Sequence, residues 1–153
     1  MRTGKNWNIL KRGLKWTIGI MAAAVICICL NVGMKGYDMY RDAISQISLK
    51  DKVEQIRSKE NYTEFAELPE TYVDAVLSVE DHRFYGHIGI DPIAITRAVI
   101  NDIRAGAFVE GGSTITQQLA KNLYFTQEKK MERKAAEVFM AFALEKEYSK
   151  NEI

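Results

Sequence analysis

Apolar residues follow three patterns along the chain, and each predicts a different element. From Trp16 to Met34 the run is continuous, with no Asp, Glu, Lys or Arg. At about 1.5 Å per residue, a helix of that length just spans a bilayer core. From Lys35 to about residue 66 the chain is charged and weakly amphipathic, with Ile44, Ile47, Leu49, Val53 and Ile56 as apolar positions. That predicts a juxtamembrane helix or stalk. Beyond Leu68, apolar residues recur at helical spacing. Val73, Val76 and Leu77 predict a helix begun after Pro69. Asp91 before Pro92 reads as an N-cap with proline at the first helical position, opening a helix with Ile95, Ala98, Val99 and Ile103 on one face. Gly106 is placed to end it. A last helix is expected from about Lys129 to Glu147, with Met131, Ala135, Val138, Phe139 and Phe142 as its buried stripe. No alternating strand pattern stands out, so the fold class is mainly α.

Charge orients the first pattern. Arg2, Lys5, Lys11, Arg12 and Lys15 precede the apolar run, with no acidic residue among them. Positive-inside reasoning makes residues 1–15 a basic cytoplasmic tail, 16–34 a transmembrane anchor, and everything after Met34 extracytoplasmic. A cleaved signal peptide is the competing reading. No small-x-small site follows the run, and Ala22-Ala23-Ala24 lies inside it. The net charge of +1 argues against a nucleic-acid partner. The only cysteines, Cys27 and Cys29, lie in the apolar run, so the rest of the chain has neither a disulfide framework nor thiol chemistry.

Polar side chains with chemical use concentrate in three places. The densest is Glu110 to Asn122, where Gly111 and Gly112 run into Ser113, Thr114 and Thr116, then Gln117, Gln118 and Lys121. Glycines let backbone approach a ligand. Ser113 or Thr114 can cap the helix that follows, Thr114 with Gln117 has capping-box spacing, and that helix start would offer N–H groups and a positive dipole end to an anion. Gln118 and Lys121 share a helix face. The plainer reading is a polar loop before a well-capped surface helix. The second place is Glu80 to Gly89. Glu80 falls at a helix end, where a carboxylate can face a cleft with apolar walls and serve as a general base. The plainer reading is an acidic pair in surface ion pairs. The third is Arg133, Lys134 and Glu137, which share one helix face, as an intrahelical salt bridge also would.

Together the three clusters resemble the peptidoglycan glycosyltransferase family, the transglycosylase domain of class A penicillin-binding proteins and of monofunctional transglycosylases. Its motif Glu-Asp-x-x-Phe-x-x-His-x-Gly is met by Glu80, Asp81, Phe84, His87 and Gly89. Its second motif is met without a gap from Gly111 to Asn122, and its Arg-Lys-x-x-Glu by Arg133, Lys134 and Glu137. The resemblance implies a lysozyme-like helical domain, with residues 67–153 as its N-terminal part; the family's further motifs are not met before Ile153, as expected of either a fragment of a longer product or a truncated copy with little or no activity. A domain incomplete at its C-terminus leaves the apolar face of residues 131–142 partly uncovered.

The resemblance also implies the chemistry: polymerisation of lipid II into glycan strands, with inversion and release of undecaprenyl pyrophosphate, in cell wall synthesis at the bacterial membrane. Glu80 is then the base on the acceptor 4-hydroxyl, with Asp81 behind it. Lys121, Arg133 and Lys134 become pyrophosphate ligands, and Ser113, Thr114, Thr116, Gln117 and Gln118 hold sugar and phosphate oxygens. Glu137, the second acidic residue, either orients Lys134 and Arg133 or helps hold a divalent cation such as Mg or Mn. No organic cofactor is expected. His87 reads as a structural hydrogen-bonder and His82 as a surface residue. Partners would be lipid II, the growing strand, the membrane and other cell wall synthesis proteins. Two other readings stay open: an anchored, non-catalytic lipid II or glycan binder, and a lysozyme-like lytic enzyme, against which the Arg/Lys cluster argues.

Overall fold

The computed structural model describes residues 3–126 and 130–153, with side chains from residue 11 onward. It is helical, with no strand among the described residues. Among the described residues six α-helices follow one another: α1 (Thr3–Gln46), α2 (Leu49–Arg57), α3 (Glu70–Glu80), α4 (Pro92–Ala105), α5 (Ile115–Tyr124) and α6 (Met131–Glu147). Short 3₁₀ turns at Phe65–Glu67 and Phe84–Gly86 lead into α3 and follow it. Arg2 and the side chain of Lys5 lie outside the described residues, as does Lys129.

α1 does not stop where its apolar run stops. It continues unbroken to Gln46, so much of the expected stalk is the same helix. Among the described residues it is the one helix long and apolar enough to cross a membrane, and the rest of the chain leaves its apolar run uncovered. Past the run, Tyr40, Ala43 and Ile44 turn onto a core built on Leu49, Ala120, Met140 and Leu144. Ser48 caps α2 by accepting the Asp51 N–H, which swings Leu49 into that core.

α6 is the central helix, packed between α1 and α5. Its buried residues are Ala136, Glu137, Met140, Ala141 and Leu144, which corrects the expected stripe: Met131 and Phe142 are exposed. A single stripe presumes one neighbour. Here α1 lies on Ala135 and Phe139, α5 brings Ala120 onto Met140 and Leu144, and the Gly89 backbone lies on Ala141. Burial therefore runs around the helix, and a carboxylate falls inside it. Met140 and Leu144 are each worth roughly 1.5–3 kcal/mol of burial.

α4 begins and ends as its sequence directs. Asp91 accepts the N–H groups of Ile93 and Ala94, and Gly106 closes the helix at φ +65°. Asp91 also takes a bidentate contact from Arg83, with Nε at 2.9 Å and Nη2 at 2.6 Å. Burial alone would raise the Asp91 carboxyl, but the Arg83 guanidinium and the two N–H groups hold it below the usual range. Of the predicted apolar face only Ala98 is buried; Val99 and Ile103 are exposed.

Candidate active site

α3 ends at Glu80, where Asp81 leaves helical geometry at φ −161°. The two adjacent carboxylates then part. Glu80 is exposed, and its Oε2 accepts a hydrogen bond from Gln118 Nε2 at 2.8 Å. Asp81 is buried and points back into the fold. It accepts from His87 Nε2 at 2.9 Å and from the Ile115 N–H at 3.0 Å. The Gly89 N–H donates to His87 Nδ1. Nδ1 is therefore the unprotonated nitrogen, and Nε2 carries the proton given to Asp81. His82 stays exposed at the cleft edge.

Sequence alone suggests an open anion site at the start of α5; the structure fills it. Asp81 takes the Ile115 N–H and Thr114 Oγ1 takes the Gln117 N–H, so the chain's own carboxylate meets the positive end of the helix. Thr114 and Gln117 form the predicted capping box. Thr114 Oγ1 also donates to the Gly89 carbonyl at 2.6 Å, stitching the first cluster to the second. Thr116 Oγ1 donates to Glu145 at 2.6 Å. Thr114, Thr116 and Gln117 are all buried and hold the helix in place.

The glycine pair divides its work. A Cβ on Gly112 would lie 3.1 Å from Ile95 Cα, so this glycine lets the loop lie on α4, while the space around Gly111 is open. Sequence reading missed the residues that tie the loop down. Asp102 accepts the N–H groups of Val109 and Glu110. Asn101 and Arg97 bind the Glu110 carboxylate and hold it below the usual range. The available signal was the i,i+4 spacing of Arg97 and Asn101, with Asp102 beside them, on a helix whose other face is apolar.

These pieces enclose a cleft of about 590 Å³. Glu80, Asp81, Ser113, Thr114, Gln118 and Lys121 line it, together with Arg97 and Glu110. Its walls are mainly polar, which corrects the apolar cleft expected around Glu80. The loop supplies few large side chains, and α5 turns Gln118 and Lys121 toward the opening. Lys121 has no carboxylate partner among the described residues.

The third cluster joins through one contact. Lys134 Nζ donates to Ser113 Oγ at 2.7 Å and to Glu137 Oε2 at 2.7 Å. Arg133 Nε stands 3.1 Å from Glu137 Oε1, close as an ion pair but out of line for a hydrogen bond. Its Nη1 donates to the Thr126 carbonyl. Glu137 is 1% exposed, between two cations. A divalent cation does not fit there: both carboxylate oxygens already face positive charge, and no group of three metal-ligating side chains surrounds them among the described residues.

The arrangement offers one exposed carboxylate, one ammonium with no carboxylate partner among the described residues and a hydroxyl wired to a cation pair, all around one opening. Comparison with known proteins places it. The transglycosylase family profile matches residues 48–153.

The chain belongs to the transglycosylase family.

This transglycosylase-family chain is 47% identical over 95 residues to penicillin-binding protein 1A of Aquifex aeolicus, covering 62% of the chain and 13% of that protein. It is 53% identical over 87 residues to penicillin-binding protein 1F of Bacillus subtilis, covering 57% and 12%. It is 42% identical over 110 residues to a monofunctional glycosyltransferase of Staphylococcus aureus, covering 70% and 40%. The chain thus spans 40% of the length of the last relative and about an eighth of the other two.

Proposed function

We propose that this chain is a membrane-anchored peptidoglycan glycosyltransferase that extends glycan strands from lipid II. The observation that carries the reading is the cleft itself. An exposed Glu80, oriented by Gln118, shares one opening with Lys121, which has no carboxylate partner among the described residues, and with Ser113, which is wired to Lys134. In this reading Glu80 takes the proton from the acceptor 4-hydroxyl as that oxygen bonds to the anomeric carbon. The bond from carbon to the lipid pyrophosphate breaks on the opposite face, and the leaving group departs with the electron pair. Lys121 and Lys134 meet the charge that develops there. Asp81 is assigned a positioning role, since its carboxylate is spent on His87 and the Ile115 N–H. Glu137 orients Lys134 and Arg133. Hydrolysis of a neutral glycan needs no such cations, which argues against a lytic enzyme.

Glu80→Gln keeps size and the contact with Gln118 while removing the base. With lipid II in detergent, the variant is expected to lose polymerisation and keep lipid II binding. Near-normal turnover by Glu80→Gln overturns the assignment. A parent chain that binds lipid II without polymerising it overturns catalysis and leaves a binding protein.

A further inference from the structure

α1 and α6 run side by side in the same direction. Lys35 meets Glu132, Gly36 meets Ala135, and Tyr37 and Tyr40 meet Phe139. The crossing has a tight point. A Cβ built on Gly36 would overlap the Ala135 Cβ and lie 2.9 Å from the Glu132 carbonyl oxygen. Gly36 is buried, unlike Gly13, Gly19 and Gly33, around which the space is open. It also lies two residues past Met34, where the apolar run ends. That is about 3 Å along the axis at the rise of an α-helix. The headgroup layer is roughly 5–7 Å deep on each side of a bilayer. Because α6 starts at this level and leads away from it, its first turns, with Arg133 and Lys134, stand nearest the membrane.

We infer that Gly36 is a positioning residue. By letting α6 seat directly on the anchor helix, it holds the Arg133–Lys134–Glu137 cluster at the height of lipid phosphates. A phosphate carried on a membrane-borne lipid then meets these cations without its tail leaving the bilayer. This rests on the glycosyltransferase reading for the identity of the lipid, but the height of the cluster stands apart from it.

Two measurements test the inference. A nitroxide at position 131 (Met131→Cys, with Cys27→Ser and Cys29→Ser) reads depth in phosphatidylcholine/phosphatidylglycerol vesicles by its accessibility to oxygen and to a nickel chelate. It is expected at headgroup depth, displaced by Gly36→Leu and by Gly36→Ala, and returned in part by the double change Gly36→Ala/Ala135→Gly, which removes the Cβ overlap and leaves the contact with the Glu132 carbonyl. A label in bulk water in the parent, or a depth unmoved by Gly36→Leu, overturns the inference. In kinetics, Gly36→Leu is expected to raise KM for a long-tailed donor in vesicles on the order of tenfold, the worth of one charge-assisted contact. A short-tailed, water-soluble donor should be used as well as before. Equal loss on both donors makes Gly36 merely structural. A parent that polymerises neither overturns the glycosyltransferase reading, and the depth measurement still decides the position of the cluster.

Discussion

Lys134 is where two polar clusters meet, and its contacts set what its loss should do. Its ammonium holds Ser113 Oγ and Glu137 Oε2, both at 2.7 Å, and its side chain is 40% exposed. Charged hydrogen bonds contribute roughly 1.5–3 kcal/mol, and partial exposure places this one at the low end. Lys134→Ala should therefore weaken binding of a lipid pyrophosphate about tenfold, with Lys134→Arg restoring part of it, since the two cations differ in shape. A neutral glycan fragment should bind parent and variant alike. A titration in which both ligands lose affinity equally would make Lys134 structural. At this scale the sequence was generous with identities and silent on direction. Glu80 and Asp81 are neighbours of the same type, yet one faces the cleft and the other the fold. That split depends on where His87 and the Ile115 N–H arrive, and both arrive from later in the chain.

Element boundaries were legible because they are set within a few residues. The Thr114–Gln117 box, the Asp91-Pro92 start and the Gly106 stop all lie where local chemistry put them. Asp91 adds a long-range consequence through Arg83. Its carboxyl is held below its ordinary value, so its contribution to stability is full above the unfolded carboxyl range, near pH 3.9, and is lost as pH falls through the lower folded value. Asp91→Asn should keep the cap and flatten that acid dependence. Asp91→Ala should remove cap and ion pair together, costing roughly 2–4 kcal/mol. Thermal or urea melts between neutral and acid pH separate the two. An Asp91→Asn variant with the parent's acid dependence would show that the Arg83 pair is not its source. Which face of each helix is buried was less legible. The phase of α6 was misread because burial there reflects three neighbours, and the apolar side of α4 was readable as a face but not as an exposed one.

For the whole molecule, the uncharged run and the cations before it make a directional claim: residues beyond about 40 lie outside and the tail inside. Protease added to intact spheroplasts should cut beyond the anchor and spare an N-terminal tag. Protection of the full chain would reverse the topology. The sequence by itself determined the helical class, the long apolar run, the capped helix ends and the three polar clusters, because hydropathy, capping and spacing are local properties of the chain. Only the tertiary structure decided that the anchor helix runs on to pack against α6, that Lys134 reaches Ser113, and that Asp81 closes the start of α5 while Glu80 stays open. Each of these joins groups far apart along the chain. Their meeting depends on how the helices pack, at tight points such as Gly36 on Ala135 and Gly112 on Ile95, which no local pattern encodes.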